Sequence, residues 1–217
     1  MAGLFKWSAR KAEPPATAPA PTVVSVPGPD LFTVSKVFPR FVAALAQRPS
    51  PVLLDLGPVV GSNISYFGAR VPCKIYVEDL FSEIEKHSKR NEPAKVGAAL
   101  MAHLTQADES VDGILCWDVF DYLDKGAGQL LAHRLAKLLR KGGALYGFFG
   151  TTQAELHHYS RFIVEGEDRL CVRTVPASPV RRNVLQNRDI IKMFHPLLVA
   201  ESVLLKSSTR ETLFRKP

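Results

Sequence analysis

The stretch PVLLDLGPVVGSNISYF, residues 51–67, decides the fold of this chain. It begins with an apolar run and continues with Asp55, then with two glycines, Gly57 and Gly61, ahead of a segment that can start a helix. This order predicts a buried strand, a tight turn and a helix. In α/β proteins such a junction commonly holds the adenosine end of a nucleotide-like ligand. We therefore expect the first half of the chain to form a ligand-binding sheet.

Size and composition are those of one domain with appendages. The chain has 217 residues, of which 46% are apolar, enough for a sizeable core. Its formal net charge is +7. A basic balance favours acidic partners, such as nucleic acid, anionic lipid or an anionic small substrate. The alternative is a soluble protein that happens to be basic, and composition alone leaves both open.

The cysteines and the hydropathy pattern predict a cytoplasmic protein. Cys73, Cys116 and Cys171 lie far apart and form no CxxC pair, which argues against a cysteine-rich zinc site. Each lies in an apolar run, as buried thiols in a reducing compartment do. No apolar run approaches the roughly 18 to 20 residues that a membrane span needs, and the N-terminus is too polar for a signal peptide.

Two regions are expected from the distribution of proline. Residues 1–29 are rich in Pro and Ala and predict a flexible tail, because Pro lacks the donor that helices and sheets require. Residues 30–217 are expected to form the folded domain. Asp30 is expected to cap a helix over residues 31–47, with a kink or a break at Pro39.

Strand and helix patterns then alternate along the chain, and four such alternations predict a mostly parallel sheet covered on both faces. Residues 91–109 are less clear, since 96–104 fits either a weak third strand or a helix. Lys141-Gly142-Gly143 is expected to end the last of these helices. The strands are expected at residues 52–56, 74–77, 114–117 and 144–149, and the helices at 62–68, 80–90 and 129–139.

The C-terminal third has a different pattern. Residues 162–165 and 170–175 alternate like the two strands of a hairpin. A helix capped by Asn187 or Asp189 follows. Residues 197–206 and 212–216 then predict an antiparallel strand pair that completes the sheet.

Four motifs in this order resemble the class I S-adenosylmethionine-dependent methyltransferases, over about residues 30 to 217. They are VLLDLGPVVGSN, KIYVEDLF, SVDGILCWDVFDYL and LAKLLRKGGALYGF, which look like the first, second, fourth and fifth strand motifs of that family. The closing strand pair also fits. The resemblance implies a Rossmann-like, mostly parallel seven-stranded sheet with an antiparallel C-terminal pair and helices on both faces.

The resemblance implies S-adenosylmethionine as cofactor and assigns residues to it. A carboxylate after the second strand can accept both ribose hydroxyls. Asp79 matches that position, and its neighbour Glu78 is the alternative. Asp55 would lie near the amino-acid end of the cofactor, and Trp117 and Asp118 where cofactor and substrate meet. The residues alone also allow a solvated acidic pair, a turn-stabilising carboxylate and a core tryptophan.

The first motif departs from the family between its glycines. Gly57 and Gly61 allow close approach of backbone to a ligand, but Pro58-Val59-Val60 stands where the family has a central glycine. This departure motivates a second hypothesis, a catalytically inactive binding or scaffold protein with the methyltransferase fold.

The substrate side is expected after the fifth strand. His157 or His158 would serve as a base, or be an exposed or hydrogen-bonded pair; no metal site is expected. Residues 157–217 hold 11 basic and 6 acidic side chains, an excess of +5. Within them Arg181-Arg182 would bind an anionic acceptor or be a solvated connector. A third hypothesis, nucleic-acid binding by this basic region, has no specific motif behind it.

Overall fold

The computed structural model describes residues 30–217, so the tail predicted for residues 1–29 lies outside the described residues. The described chain contains nine strands and six α-helices. None of these helices combines the length and apolar character needed to cross a bilayer. The strands are β1 Leu31–Val34, β2 Val52–Asp55, β3 Lys74–Val77, β4 Val111–Trp117, β5 Leu139–Gly150, β6 Glu155–Val164, β7 Arg169–Arg181, β8 Leu198–Leu204 and β9 Thr209–Arg215. The helices are α1 Phe38–Ala46, α2 Gly61–Arg70, α3 Leu80–Lys89, α4 Val96–His103, α5 Lys125–Leu138 and α6 Asn187–Met193.

The main sheet has six strands in the order β3-β2-β4-β5-β9-β8. The first four strands are parallel, β9 is antiparallel to β5, and β8 is antiparallel to β9. This confirms the predicted α/β fold with its closing antiparallel pair. The predicted count of seven strands is corrected to six. Of the two readings left open for residues 96–104, the helix is found: Val96, Leu100 and Leu104 are all buried, and their spacing of four is that of a helix face.

A second, antiparallel sheet has the order β1-β7-β6. Its β1 replaces the first half of the predicted helix over residues 31–47. Asp30 does not cap a helix, because its carboxylate pairs with Arg173 of β7 at 2.7 Å. Ser35 Oγ accepts the backbone N–H of Phe38 at 2.7 Å, and α1 begins there. Pro39 lies in the first turn of α1, where it costs no hydrogen bond, so the predicted kink is wrong.

The junction between α5 and β5 also differs from the prediction. The helix ends at Leu138, and β5 begins at Leu139, so Lys141-Gly142-Gly143 lies inside the strand rather than ending the helix. Gly142 has φ +69°, a conformation that glycine adopts without steric cost. Leu138 and Leu139 are both fully buried, and this apolar anchoring explains why the chain turns into the strand before it reaches the glycines.

Both faces of the main sheet are covered, as the strand and helix alternation predicts. β4 is buried along its whole length. On one face Leu54 and Ile114 pack in a cluster with residues of α3, α4 and α5 such as Leu131. On the other face Leu53 and Leu115 pack with residues of α1, α2 and β6. Burying one such side chain stabilises the fold by about 1.5–3 kcal/mol, so these faces hold β4 in the centre.

The hairpin of β6 and β7 is docked on helices of both faces. Asn63 of α2 donates to the carbonyl of Phe162 at 2.9 Å and accepts the N–H of Val164 at 2.8 Å. Glu85 of α3 accepts the N–H of Ser178 at 2.9 Å. Since α2 follows β2 and α3 follows β3, the hairpin is held at the carboxyl end of the parallel strands. This is the end at which open α/β sheets bind ligands.

Candidate functional site

The predicted acidic residues lie at the carboxyl ends of adjacent parallel strands. Asp55 is the last residue of β2, and Glu78 and Asp79 follow β3. Trp117 is the last residue of β4, and Asp118 follows it. The strand order β3-β2-β4 therefore gathers all five at one edge of the sheet. The backbone links them further, because the N–H of Glu78 donates to the carbonyl of Asp55 at 2.8 Å.

Asp55 is closed off from solvent by Trp117. The indole Nε1–H of Trp117 donates to Asp55 Oδ1 at 2.6 Å, and the same oxygen accepts the backbone N–H of Gly57 at 2.9 Å. Asp55 is 5% exposed and Trp117 is 2% exposed. Burial raises the pKa of Asp55 to about 6, although both hydrogen bonds oppose this rise.

Trp117 is held in place by aromatic stacking and by Gly57. Its ring stacks on Phe162 of β6 at a centroid distance of 4.9 Å, and Phe162 stacks on Phe148 of β5 at 5.0 Å. A Cβ atom on Gly57 would lie 2.7 Å from Trp117 Cδ1, so only glycine allows this approach. Trp117 has φ +48°, an uncommon value for a bulky residue. Strained backbone of this kind clusters at functional sites.

Asp79 and Glu78 have different partners. Asp79 caps α3 by accepting the N–H of Ser82 at 3.1 Å and its hydroxyl at 2.6 Å. Glu78 accepts from the amide of Gln106 at 3.0 Å. The charge of Asp79 contributes to the raised pKa of Asp55, which means that these two carboxylates lie within electrostatic reach of each other. Both Asp79 and Glu78 are half-buried.

The loop from Gly57 to Gly61 is exposed to solvent at its Gly61 end and buried at its Gly57 end. Gly61, the first residue of α2, is exposed, and a Cβ atom there would meet nothing within 4 Å. Val59 is 65% exposed, whereas Gly57 and Pro58 are buried. The first turn of α2 thus faces solvent while the beginning of the loop is part of the interior.

These residues fit the implied adenosyl cofactor at one end and not at the other. Asp79 offers a half-buried carboxylate and the space beside Gly61 is open, two features that a ribose would need. At the end formed by Asp55 and Gly57, where the resemblance puts the amino-acid part of the cofactor, the indole of Trp117 occupies the space next to the glycine. The amino-acid part therefore does not fit in this conformation.

Asp118 belongs to a second group of polar side chains. It is 8% exposed, and its Oδ2 accepts from the hydroxyl of Tyr122 at 3.3 Å, while its Oδ1 has no hydrogen-bond partner. Burial and the charge of Asp121 raise the pKa of Asp118 to about 7. Asp121 is buried as well; it accepts the N–H of Gly150 at 2.9 Å and pairs with Arg182 at 3.0 Å. Burial raises its pKa to about 6.

The two candidate bases lie on β6. His157 is exposed, with Nε2 3.9 Å from a carboxylate oxygen of Glu155. His158 is half-buried, and burial together with the positive charge of Arg182 lowers its pKa. A lowered pKa keeps the imidazole neutral near pH 7, the form that accepts a proton. Within residues 30–217 no group of three or more His, Cys, Asp or Glu side chains is placed to hold a metal ion.

Sequence reasoning missed three side chains of this region, Asp121, Ser160 and Phe162, and left the role of a fourth, Arg182, open. Asp121 follows Asp118 by three residues, which in the short 3-10 helix after β4 turns both inward. Ser160 and Phe162 are two positions apart in the sequence and so share one face of β6. Arg182 was expected either to bind an anionic acceptor or to belong to a solvated connector; it lies directly after β7 and pairs with Asp121. The alternation of side chains along β6 was the one sequence signal that could have grouped Ser160 with Phe162. The pairing of Asp121 with Arg182 joins distant parts of the chain and has no sequence signal.

The comparisons with known proteins agree with the motifs. Residues 54–147 match the family model described as a methyltransferase domain. A search of curated protein sequences finds no match.

Solved structures with a similar fold include three methyltransferases. A S-adenosylmethionine-dependent methyltransferase from Clostridium acetobutylicum is 11% identical, with 85% of this chain and 92% of that chain covered and a TM-score of 0.49. The CcbJ methyltransferase from Streptomyces caelestis is 15% identical, with 82% and 87% covered and a TM-score of 0.47. The 1,6-didemethyltoxoflavin-N1-methyltransferase of Burkholderia thailandensis is 14% identical, with 84% and 79% covered and a TM-score of 0.47.

The matched segment runs from β2 to β5 and includes every predicted acidic residue at the carboxyl edge. Residues 54–147 of this chain are therefore similar to a methyltransferase domain, the kind of domain that the sequence motifs predict.

Proposed function

We propose that this chain is an S-adenosylmethionine-dependent methyltransferase and that residues 30–217 work as its single methyltransferase-like domain. The observation that carries the proposal is the family match over residues 54–147, which spans the four parallel strands and the acidic residues at their ends. When bound, the cofactor supplies an electrophilic methyl group on a sulfonium. The protein's own contribution is to position the two reactants, which can account for much of the acceleration.

Asp79 is proposed to hold the ribose, and Glu78 is the alternative. Asp79 is half-buried at the end of β3, so its carboxylate is still within reach of a ligand hydroxyl. Gly61 opens α2, whose first backbone N–H groups have no side-chain cap and are free for an electronegative ligand atom. Asp55 and Gly57 are proposed for the amino-acid end, which requires that Trp117 leave its present position.

Access to Asp55 is proposed to depend on the hairpin. Phe162 lies in the stack with Trp117, and the backbone around it is bonded to Asn63 of α2. Because Trp117 is 2% exposed and stacked on Phe162, we propose that it leaves its place together with Phe162 and the hairpin. We infer that the conformation described here is the closed state of the cofactor site.

The base, the class of acceptor and the compartment are proposed from single features of the chain. His158, with its lowered pKa, is preferred to the exposed His157 as a base for the acceptor. An anionic or nucleic-acid acceptor has weak support, because Arg182 is paired with Asp121. The free thiols of Cys73, Cys116 and Cys171 support a reducing compartment such as the cytoplasm.

A second function is kept because one observation favours it. Trp117 fills the space next to Gly57 and satisfies Asp55. If this arrangement is permanent, the chain is a binding or scaffold protein with a methyltransferase fold and no methyl transfer.

Calorimetric titration with S-adenosylmethionine and S-adenosylhomocysteine separates the two functions. The chain has two tryptophans, so a Trp7→Phe variant leaves Trp117 as the single fluorophore. We expect binding of both ligands, together with a red shift of Trp117 emission as the indole leaves its buried position. We also expect Asp79→Asn to weaken binding at least about tenfold, the effect of losing roughly 1.4 kcal/mol.

Asp108→Asn is the matched control, since Asp108 is an exposed carboxylate that pairs with Arg134. It should leave the affinity unchanged. A Kd of 1 mM corresponds to a binding free energy of about −4 kcal/mol. If neither ligand binds at about 1 mM, the enzyme proposal is overturned and the scaffold function is supported. Binding without any change in Trp117 emission would show that the cofactor does not reach Asp55, and unchanged affinity in Asp79→Asn would remove the ribose assignment.

A further inference from the structure

A cavity of about 170 Å³ lies between the two sheets, beside the aromatic stack. We call it the Asp118 cavity. Its walls come from the carboxyl ends of β4 and β5, from the hairpin and from the turn between β8 and β9. The side chains that line it include Asp118, Asp121, Phe148, Ser160, Phe162 and Arg182.

The carboxylate of Asp118 has one oxygen that accepts no hydrogen bond. The residue is 8% exposed, and its Oδ1 atom has no hydrogen-bond partner. Its other oxygen accepts from Tyr122 at 3.3 Å, and the Ser160 hydroxyl lies close enough to the carboxylate to oppose the rise of its pKa. A buried polar atom without a partner is unfavourable and is rare in folded proteins. A ligand that donates an N–H or O–H to Oδ1 would remove this deficiency.

The charges around the cavity decide which ligands it accepts. Arg182 is the basic side chain among its walls, and its Nε lies 3.0 Å from Asp121 Oδ2. Asp121 is in turn bonded to the N–H of Gly150. This pair is neutral as a whole, so Asp118 sets the charge that a ligand meets. Above pH 7, where Asp118 is ionised, an anion placed here would be repelled, whereas an uncharged donor or a cation would not.

The apolar walls set the size and shape. Phe148 and Phe162 are buried and stacked nearly parallel, with 8° between their planes. A cavity of about 150 Å³ accepts one benzene ring. The Asp118 cavity therefore has room for a single ring or an equally small aliphatic molecule.

We propose that the Asp118 cavity binds a small uncharged or cationic molecule of about one ring, oriented by an N–H or O–H that donates to Asp118 Oδ1. This revises the sequence-based view of Asp118 as a cofactor residue. The further assignment of this ligand as the methyl acceptor rests on the proposed function. It is supported by position, because Asp118 directly follows Trp117, and Phe162 is a wall of the cavity as well as a member of the stack with Trp117.

The test uses the full chain without cofactor and four probes of similar size: phenol, benzylamine, toluene and benzoate. Ligand-observed NMR and calorimetry give the affinities. Phenol and toluene differ only in a hydroxyl against a methyl group, so their ratio isolates the donor. We expect phenol and benzylamine to bind at least about tenfold more tightly than toluene, and benzoate to bind more weakly still.

Two variants locate the binding. Asp118→Asn replaces the carboxylate by a weaker, neutral acceptor, and the preference for phenol over toluene should fall to about threefold or less. Ser160→Leu, which fills the cavity from β6, should abolish binding of all four probes while the circular dichroism spectrum is retained. The exposed Asp108→Asn is the control and should behave as the wild-type chain.

Equal binding of phenol and toluene, benzoate as the tightest probe, or an unchanged preference in Asp118→Asn would each overturn the proposal. Should Asp118→Asn fail to fold, Ser160→Leu still decides, because binding that persists in it lies outside the cavity and overturns the proposal. If the wild-type chain binds phenol as expected but does not bind S-adenosylmethionine, only the assignment of the ligand as methyl acceptor is removed. Failure of the proposed function is therefore distinguishable from failure of this inference.

Discussion

Trp117 donates its indole N–H to Asp55 Oδ1 at 2.6 Å, and this bond closes the end of β2 that the sequence motif assigns to a ligand. The bond joins the last residues of two neighbouring strands, β2 and β4. Since both side chains are almost fully buried, the bond links the stability of the fold to access to the site.

Replacing Trp117 by Phe should therefore destabilise the protein. Asp55 loses a donor in the interior, which costs about 1–3 kcal/mol in the free energy of unfolding. The same substitution in an Asp55→Asn background should cost about 1 kcal/mol less, because a hydrogen bond to a neutral amide is weaker than one to a carboxylate. Denaturant titration at pH 8 measures both. Equal costs in the two backgrounds would mean that the charge of Asp55 adds nothing to the strength of the bond.

The two glycines of the first motif should respond in opposite ways to alanine. In Gly57→Ala the new Cβ would lie 2.7 Å from Trp117 Cδ1, so the indole must shift. We expect a loss of about 1–3 kcal/mol, the usual cost of overpacking. In Gly61→Ala the Cβ meets nothing within 4 Å, and the helix start should become more stable by up to about 1 kcal/mol. Thermal unfolding compares the pair, and similar melting temperatures for both variants would contradict this account of Gly57.

Asn63 should anchor the hairpin. Asn63→Ala leaves the carbonyl of Phe162 and the N–H of Val164 without their partner. We expect a loss of about 1–3 kcal/mol and faster amide hydrogen exchange in β6 than in β4. Ser65→Ala is the control, because Ser65 is exposed and bonds only to its own helix; it should change stability by less than about 0.5 kcal/mol. Exchange that is unaltered in β6 would show that the hairpin is held by other contacts.

Stability should depend on pH through Asp118. Its pKa is raised from 3.8 to about 7 by burial and by Asp121, with Ser160 and Tyr122 opposing the shift. A raised carboxyl pKa means that the folded state holds the proton more tightly than the unfolded chain does. Its contribution is full below about pH 4 and is lost as the pH rises through 7.

Asp118→Asn removes this loss, because the amide does not ionise. Relative to wild type, the variant should gain on the order of 2–4 kcal/mol between pH 4 and pH 8. Urea titrations at several pH values give the difference. If the free energies of unfolding of the two proteins differ by the same amount at every pH from 4 to 8, Asp118 does not titrate in the folded state within this range.

The sequence predicted the parts of the fold that local pattern controls. The run VLLD, the following glycines and the alternation of strands and helices give β2, α2 and the parallel order, since each depends on periodicity within one segment. It failed at Leu31–Val34, because that strand exists through pairing with β7, about 140 residues away in the chain. It also counted one strand too many, because 96–104 suits a helix as well as a strand.

The sequence predicted which residues lie at the ends of the strands, but not which of them contact each other. The acidic ends of β2 and β3 were found because strand ends are visible in sequence. That Trp117 bonds to Asp55, and that Asp118 faces a different cavity with Asp121 and Arg182, depends on a hairpin that no local pattern places.

The docking of the hairpin on α2 and α3 has a kinetic consequence. If Trp117 moves aside only with the hairpin, as proposed above, the hairpin's contacts with Asn63 and Glu85 have to break first. A ligand that needs Asp55 therefore waits for the hairpin to release, and its observed association rate will level off at high ligand concentration instead of rising in proportion to it. The plateau rate will be the frequency at which the hairpin lifts, a motion of the microsecond to millisecond class.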